Sequence, residues 1–458
     1  MNLNLILARF HQFFPTQWLN SFARQTGLIR RSTSRFTGKD ICQLLIQAVN
    51  SPTELSLDGF CKMLYQITGN AKLRVQSFWE RIVNHKAISF IEGIYARTWA
   101  IYSEQLKKDC SKYPCGFYEN FSQILIEDST IISLNEKLSK FFKGCGGSAS
   151  KSSLKIHLVF NALSNKFSWL KVYRDKRPDS SLAHDVLQLI TEKTLVIRDL
   201  GFFFLEVFKQ INEKRAYFIS RLHPRVNVYL NVTDSKPLDL IKYIKTKYKL
   251  CSCGSLNVFL GAEERLPVRL IFYRVPEDVI NIRKRKIKRT RQRKGGTVSD
   301  HLLTWQEYTL LITNVPEEIA PTDLVGTIYR LRWGIELIFK TWKSHLHLDV
   351  LKGTRPERIE VFLYAKLIGI LLLGMICNYL RNLCFRMFGN VEISEIKVAN
   401  FIVSMGILGG IFSGYLNFKK IEFLSDEYWT RQFCKQKRKR KTTLERINAL
   451  EPFGMDFF

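Results

Sequence analysis

The chain has 458 residues, 46% of them hydrophobic and 13% aromatic, which excludes a disordered chain and suits two or three structural units around a sizeable core. Seventy Lys and Arg against 41 Asp and Glu leave a formal net charge of +29. Such a charge calls for a polyanionic partner, nucleic acid or an anionic membrane surface, without choosing between them.

In chain order, Met1 to Phe14 is apolar but broken by Arg9, His11 and Gln12, so it lacks the unbroken stretch of a signal peptide. Residues 1–119 read as helical, with apolar residues at three- and four-residue intervals, as in Phe78-Trp79-Glu80-Arg81-Ile82-Val83 followed by Phe90, Ile91, Ile94 and Tyr95. Arg24, Arg30, Arg31, Arg35 and Lys39 suit an N-terminal DNA-binding region, and equally a solvated basic surface. From Phe121 the texture changes. Ile124-Leu125-Ile126 predicts a buried strand that stops at Glu127-Asp128. Lys155–Phe160 and Phe167–Tyr173 predict a hairpin around Ser164-Asn165. Leu195-Val196-Ile197 predicts a second buried strand ending at Arg198-Asp199, followed by a helix from about Phe203 to Lys214 and a strand at Tyr217–Leu222. Strands around a helix make residues 120–222 the first part of an α/β core with a mixed sheet.

Residues 223–308 read as an inserted β-rich lobe, with strands at Val226–Leu230 and Leu270–Tyr273. Cys251 and Cys253, the closest pair of the ten cysteines, are too near for a structural zinc knuckle, and reduced cytosolic thiols are the expectation. Within the lobe, Arg283 to Lys294 places nine Lys or Arg among twelve residues, which predicts a solvated loop or an arm on phosphates. The core resumes over 309–350 with a strand at Tyr308–Thr313 and one long helix from about Pro321 to His345. Residues 351–458 read as a helical C-terminal region. There Val361–Leu380 is a core helix holding Lys366 and Asn378, and Phe401–Phe418, with four glycines, is a buried or interfacial segment rather than a bilayer span. A second basic run, Lys435 to Lys441, lies near the end.

Chemistry gathers on three acids. Asp128 and Asp199 each follow a buried strand, where open α/β sheets collect functional groups, although either one alone reads as well as a turn or cap residue. On the long helix Tyr329, Arg332, Glu336 and Lys343 fall in one stripe about 60° wide at 100° per residue, with Lys340 close to it. Trp333, Ile335 and Phe339 surround Glu336 with apolar bulk. Two Mg²⁺ ions about 4 Å apart need several carboxylate oxygens and open positions for phosphate and water. Asp128, Asp199 and Glu336 supply such oxygens, and Arg332 and Lys343 supply charge for a phosphate.

Tyr329, Arg332, Glu336 and Lys343 resemble the tyrosine–arginine–glutamate–lysine signature of the IS-four family of bacterial insertion-sequence transposases, at that family's spacing. Glu127-Asp128-Ser129-Thr130 and Asp199-Leu200-Gly201-Phe202 are similar to its two Asp motifs, and the likeness covers roughly residues 120–350. The resemblance implies an RNase H-like core and catalysis by Asp128, Asp199 and Glu336 as ligands of two divalent ions, Mg²⁺ with Mn²⁺ as substitute. It further implies double-stranded DNA partners (terminal inverted repeats and target), a homodimer built partly through residues 351–458, and cut-and-paste chemistry through a hairpin. A bacterial, nucleoid-associated cytoplasmic location, with no membrane partner, goes with this. Relatives that form the hairpin carry a tryptophan before the strand matching Leu310–Thr313. Thr309 stands there instead, which leaves Trp305 and Tyr308 as candidates for stacking on an extruded base or as core aromatics. The alternative function is a DNA-binding relic that keeps the fold and has lost turnover.

Overall fold

The computed structural model describes residues 10–31, 36–51, 55–69, 74–108, 117–144, 150–175, 177–388, 393–413 and 432–435, with 446, 447 and 449. Its centre is a nine-stranded mixed sheet. In chain order the strands are β1 (Gln123–Ser133), β2 (Ser153–Asn161), β3 (Lys166–Tyr173), β4 (Thr194–Arg198), β5 (Tyr217–Arg221), β6 (Val228–Tyr229), β7 (Cys253–Leu260), β8 (Leu266–Arg274) and β9 (Tyr308–Thr313). Their order across the sheet is β3-β2-β1-β4-β5-β9-β8-β7-β6. β1, β4 and β5 run parallel, and the remaining neighbours are antiparallel. β4 is buried at all five positions, as expected of an aliphatic strand covered on both faces.

The helices are α1 (Thr16–Gln25), α2 (Gly38–Val49), α3 (Leu57–Thr68), α4 (Val75–Ile82), α5 (His85–Lys108), α6 (Leu205–Glu213), α7 (Leu240–Lys247), α8 (Glu277–Gln292), α9 (Asp300–Trp305), α10 (Val325–Tyr329), α11 (Trp333–Ser344), α12 (Pro356–Phe388), α13 (Glu395–Ser404) and α14 (Ile407–Ser413). Their ends follow local chemistry. Thr37 and Asp40 form a capping box on α2, and Gly69 closes α3 at a φ of 73°.

The sheet alternates its faces in the usual way. Leu125, Val196 and Phe218 point to the side covered by α6 and α7, whereas Ile124, Ile126, Leu195, Ile197 and Ile219 point to the helical side. On that second side the N- and C-terminal helices form one layer: α12 packs along α5 and α2, and α14 lies on α2. Lys366 of α12 is buried there and donates to Val49 O and Leu346 O at 3.0 and 3.1 Å, where it meets the carbonyl end of α2. α12 is long and apolar enough to cross a bilayer, but 89% of its most apolar window is buried inside the protein, in keeping with a core helix.

Several elements differ from the sequence reading. β1 does not stop at Asp128. It continues to Ser133 because β2 pairs with it along its outer half, while the pairing to β4 ends at Glu127↔Arg198. The strands within residues 223–308 join the core sheet, with β8, β7 and β6 extending it beyond β9. Arg283 to Lys294 is mostly helix rather than loop, as the second half of α8. The predicted long helix is two helices joined by a 3₁₀ turn at Arg330–Arg332. The glycine-rich segment is likewise broken, at Gly406 with φ 65°, and its last residues, 414–418, lie outside the described residues. Arg35 and most of the second basic run also lie outside them.

Candidate active site

Asp128 and Asp199 are the first residues beyond the last β1–β4 pair, Glu127↔Arg198, and so stand side by side at the carboxyl ends of parallel strands. Beneath them is a buried polar network. The Arg198 guanidinium lies 2.7 Å from Glu127 Oε2, His157 Nε2 is 2.9 Å from Glu127 Oε1, and Arg198 also donates to Ala183 O. All three charged or ionisable side chains are fully buried, on the face opposite Asp128.

The helices bring the remaining groups to the acids. Tyr273 of β8 donates to Thr322 O at 2.6 Å and accepts from Gly326 N at 2.8 Å, which fixes the start of α10. From there the Tyr329 hydroxyl donates to Asp199 Oδ1 at 3.2 Å. One turn on, the Arg332 guanidinium donates to Glu336 Oε1 and lies 3.8 Å from Asp128 Oδ2. Lys343 donates to Ile131 O at 3.1 Å and so reaches the outer half of β1. Asp128, Asp199, Tyr329, Arg332 and Glu336 therefore converge, with Arg332 among the three carboxylates and Lys343 at the margin. Lys340 is exposed and bonds no described residue. Ile335 and Phe339 are buried beside Glu336, but Trp333 faces solvent.

Electrostatics follow from this packing. The Asp128 carboxyl is pushed up to about 6, first by burial and then by the neighbouring Asp199 and Asp179, against the Ser129 N–H and Arg332. Tyr329 is also raised, by burial and by Asp199. Burial works against the charge of Arg332, but Tyr329, Asp199 and Glu336 outweigh it and hold the guanidinium protonated.

Two participants escaped the sequence reading. Asp179, the first residue of a 3₁₀ turn (Asp179–Leu182) after Pro178, accepts from Ser129 Oγ at 2.5 Å and from Lys155 Nζ at 2.7 Å, and its charge reaches Asp128. Asp179 also explains the glycine in Asp199-Leu200-Gly201-Phe202, because a Cβ on Gly201 would sit 2.8 Å from Asp179 Oδ2. Arg221, at the end of β5, is close enough for its charge to act on Tyr329 and on Arg283. The two aromatic candidates diverge. Tyr308 is a core residue, buried and edge-on to Phe272 at 6.2 Å, so it has no free face for a base. Trp305 ends α9, half-buried against the sheet's second core and 5.6 Å from the His301 ring.

A sequence profile described as the transposase DDE domain matches residues 119–372, more than half of the chain. The chain belongs to that family. Its tyrosine–arginine–glutamate–lysine signature puts this transposase in the IS-four group. It is 28% identical over 417 residues to the transposase for insertion sequence element IS231E of Bacillus thuringiensis subsp. finitimus, covering 87% of this chain and 85% of that protein. It is 28% identical over 414 residues to the IS231B transposase of B. thuringiensis subsp. berliner, with the same coverage. It is 25% identical over 400 residues to the IS1151 transposase of Clostridium perfringens, covering 84% of this chain and 82% of that protein.

DDE domains generally use divalent metal ions. Among the described residues, no three carboxylate, imidazole or thiol groups converge closely enough to hold an ion as they stand. The donor chemistry nevertheless fits. The acids of the transposase are all oxygen donors, Asp128 and Asp199 repel each other in a partly buried place, and the Arg332 cation already lies between Asp128 and Glu336.

Proposed function

We propose that this transposase is a cut-and-paste enzyme that binds the terminal inverted repeats of its insertion sequence, cleaves DNA there and joins the freed ends to target DNA. The observation that carries this reading is the convergence of Tyr329, Arg332 and Glu336 on Asp128 and Asp199 at one end of the β1–β4 ladder. An RNase H-like core is supported by the β3-β2-β1-β4-β5 order, with β2 and β3 antiparallel and β1, β4 and β5 parallel.

Asp128, Asp199 and Glu336 would hold divalent ions, Mg²⁺ or Mn²⁺, which when bound activate the attacking oxygen and steady the leaving oxygen. The protein's own groups bind and orient the DNA. Arg332 releases Glu336 and turns its two-pronged guanidinium to the scissile phosphate, whose oxygens replace the carboxylate as acceptors. Tyr329 holds Asp199 in place from the side and is a neutral donor at neutral pH, because its hydroxyl is raised. Lys343 steadies the strand carrying Asp128 through Ile131 O. In the hydrolytic step water adds to phosphorus, the P–O3′ bond breaks, and the 3′ oxygen leaves as a hydroxyl. In strand transfer that hydroxyl attacks a target phosphodiester, and as its new bond to phosphorus forms the target's P–O3′ bond breaks and the target 3′ oxygen leaves as a hydroxyl. Double-stranded DNA is the partner, and a homodimer would hold two ends together. The place of action is the bacterial nucleoid.

The test uses a supercoiled plasmid carrying the element's own two ends, with wild type compared with Asp128→Ala, Asp199→Ala and Glu336→Gln in Mg²⁺ and in EDTA. Excision is expected from wild type in Mg²⁺ alone, with each variant binding the ends and failing to cut. A wild type that binds the ends but cuts nothing under any divalent ion makes the chain a DNA-binding relic.

A further inference from the structure

Helix α8 leaves the sheet where β8 ends, at Arg274 paired with Tyr308. β9 runs antiparallel to β5, so this is the rim that bears the two aspartates. The root of the helix is fixed. Ile280 is buried, the Arg283 guanidinium donates to Thr309 Oγ1 at 3.2 and 3.3 Å, and Lys284 pairs with Glu307 at 3.1 Å. Beyond Lys284 the helix stands away from the body. Arg285, Lys286, Lys288, Arg289, Arg291, Arg293 and Lys294 are all exposed, and none pairs with a carboxylate among the described residues.

The distribution of those cations matters as much as their number. At about 100° per residue Arg285, Lys286, Lys288, Arg289 and Arg291 spread over about 220° of the helix, much wider than a single stripe, and leave only the side of half-buried Ile287 without charge. Lys284 with Lys288 and Arg285 with Arg289 are like charges at i,i+4, which repel. A helix lying along one phosphate strand would use one stripe. The B-DNA major groove, about 12 Å wide, admits a helix and lines it with phosphates on both flanks. Cations also run unbroken from the acids to the helix root, through Arg332, Arg221 and Arg283. Arg283 itself is pushed down to about 10, by burial and then by Arg221, a strain that a bound phosphate would relieve.

We propose that α8 enters the major groove of the duplex held at Asp128 and Asp199, with the cations from Arg285 to Lys294 on both walls of the groove. This rests on the DNA-cleaving function proposed above. Beyond its fixed root the helix runs from residue 285 to 292, about 12 Å, the width of the groove.

The test uses the full chain in EDTA and a linear duplex carrying one end of the element with its flanking DNA. Wild type is compared with the triple variant Lys288→Ala, Arg289→Ala, Arg291→Ala. Alanine at exposed helical positions preserves the helix, and circular dichroism confirms folding. The triple variant should bind roughly tenfold or more weakly, with the slope of log affinity against log salt shallower by about 3. Methylation of guanine N7, which lies in the major groove, should block wild-type binding at a few positions to one side of the cut, and this block should vanish in the triple variant. Unchanged affinity and slope remove α8 from the DNA. Weakened binding with no α8-dependent N7 effect overturns the groove and leaves phosphate contact only. If wild type cuts nothing in Mg²⁺ but the N7 effect still depends on α8, the cleavage reading falls and the groove contact stands.

Discussion

Asp128 sits where function and stability oppose each other. Its carboxyl is raised to about 6, chiefly by burial, so between about pH 4 and 6 the folded chain holds a proton that the unfolded chain has released. The stabilisation from that proton is full below the unfolded value and is lost as pH rises through the folded one. At neutral pH the ionised carboxylate then costs the metal-free fold on the order of 3 kcal/mol. Asp128→Asn should therefore stabilise the metal-free protein at neutral pH, with little effect in acid, while ending DNA cleavage. Urea unfolding at the two pH values checks this, and a variant less stable than wild type at neutral pH would overturn it. The groups around Asp128 differ in how legible they were. Tyr329, Arg332 and Glu336 were readable because helical periodicity puts them on one stripe. Asp179 and Arg221 were not, since Asp179 reaches the site from a short 3₁₀ turn and Arg221 from a neighbouring strand, contacts that leave no local pattern.

At the scale of elements, the separation of the two aspartates is held by the Glu127–Arg198 pair at the end of the β1–β4 ladder, with His157 closing it from β2. Glu127→Gln would leave the fully buried Arg198 without its counter-charge, at a cost of about 3–5 kcal/mol. The double variant Glu127→Leu, Arg198→Met removes both charges and should recover much of that loss. Equal stability losses in the two variants, read by urea unfolding, would mean that packing rather than the charge pair holds the ladder. The hairpin and the short buried strands were legible from alternation and aliphatic runs. The continuation of β1 past Asp128 was not, because Glu127-Asp128-Ser129-Thr130 reads as a polar rim that stops the strand and only pairing with β2 carries it on. α8 shows the reverse error. A cationic run predicts solvation, which holds, but Lys and Arg are good helix formers and Glu277 and Asp278 favour a helix start, so solvated did not mean irregular.

For the molecule as a whole, the family's domain shares its helical layer with the N-terminal helices. The profile match ends at residue 372, within α12, whose apolar side is covered by α5 and α2 from the other end of the chain. Asn50 and Gly369 make that contact close, with Asn50 donating to Ala365 O at 3.2 Å and its amide 2.6 Å from where a Gly369 Cβ would stand. A sheet with α12 attached but without α1–α5 would expose a continuous apolar face, a strong cause of aggregation. The fragment 119–388 should therefore be insoluble when produced alone, and co-production with residues 1–118 should bring it into solution as a complex. Size-exclusion chromatography of the two preparations decides it. A soluble, monomeric 119–388 with native-like circular dichroism would show that the sheet stands without its helical layer. The N-terminal region would then be free to act as a separate DNA-binding unit, as its basic helices suggest from sequence alone.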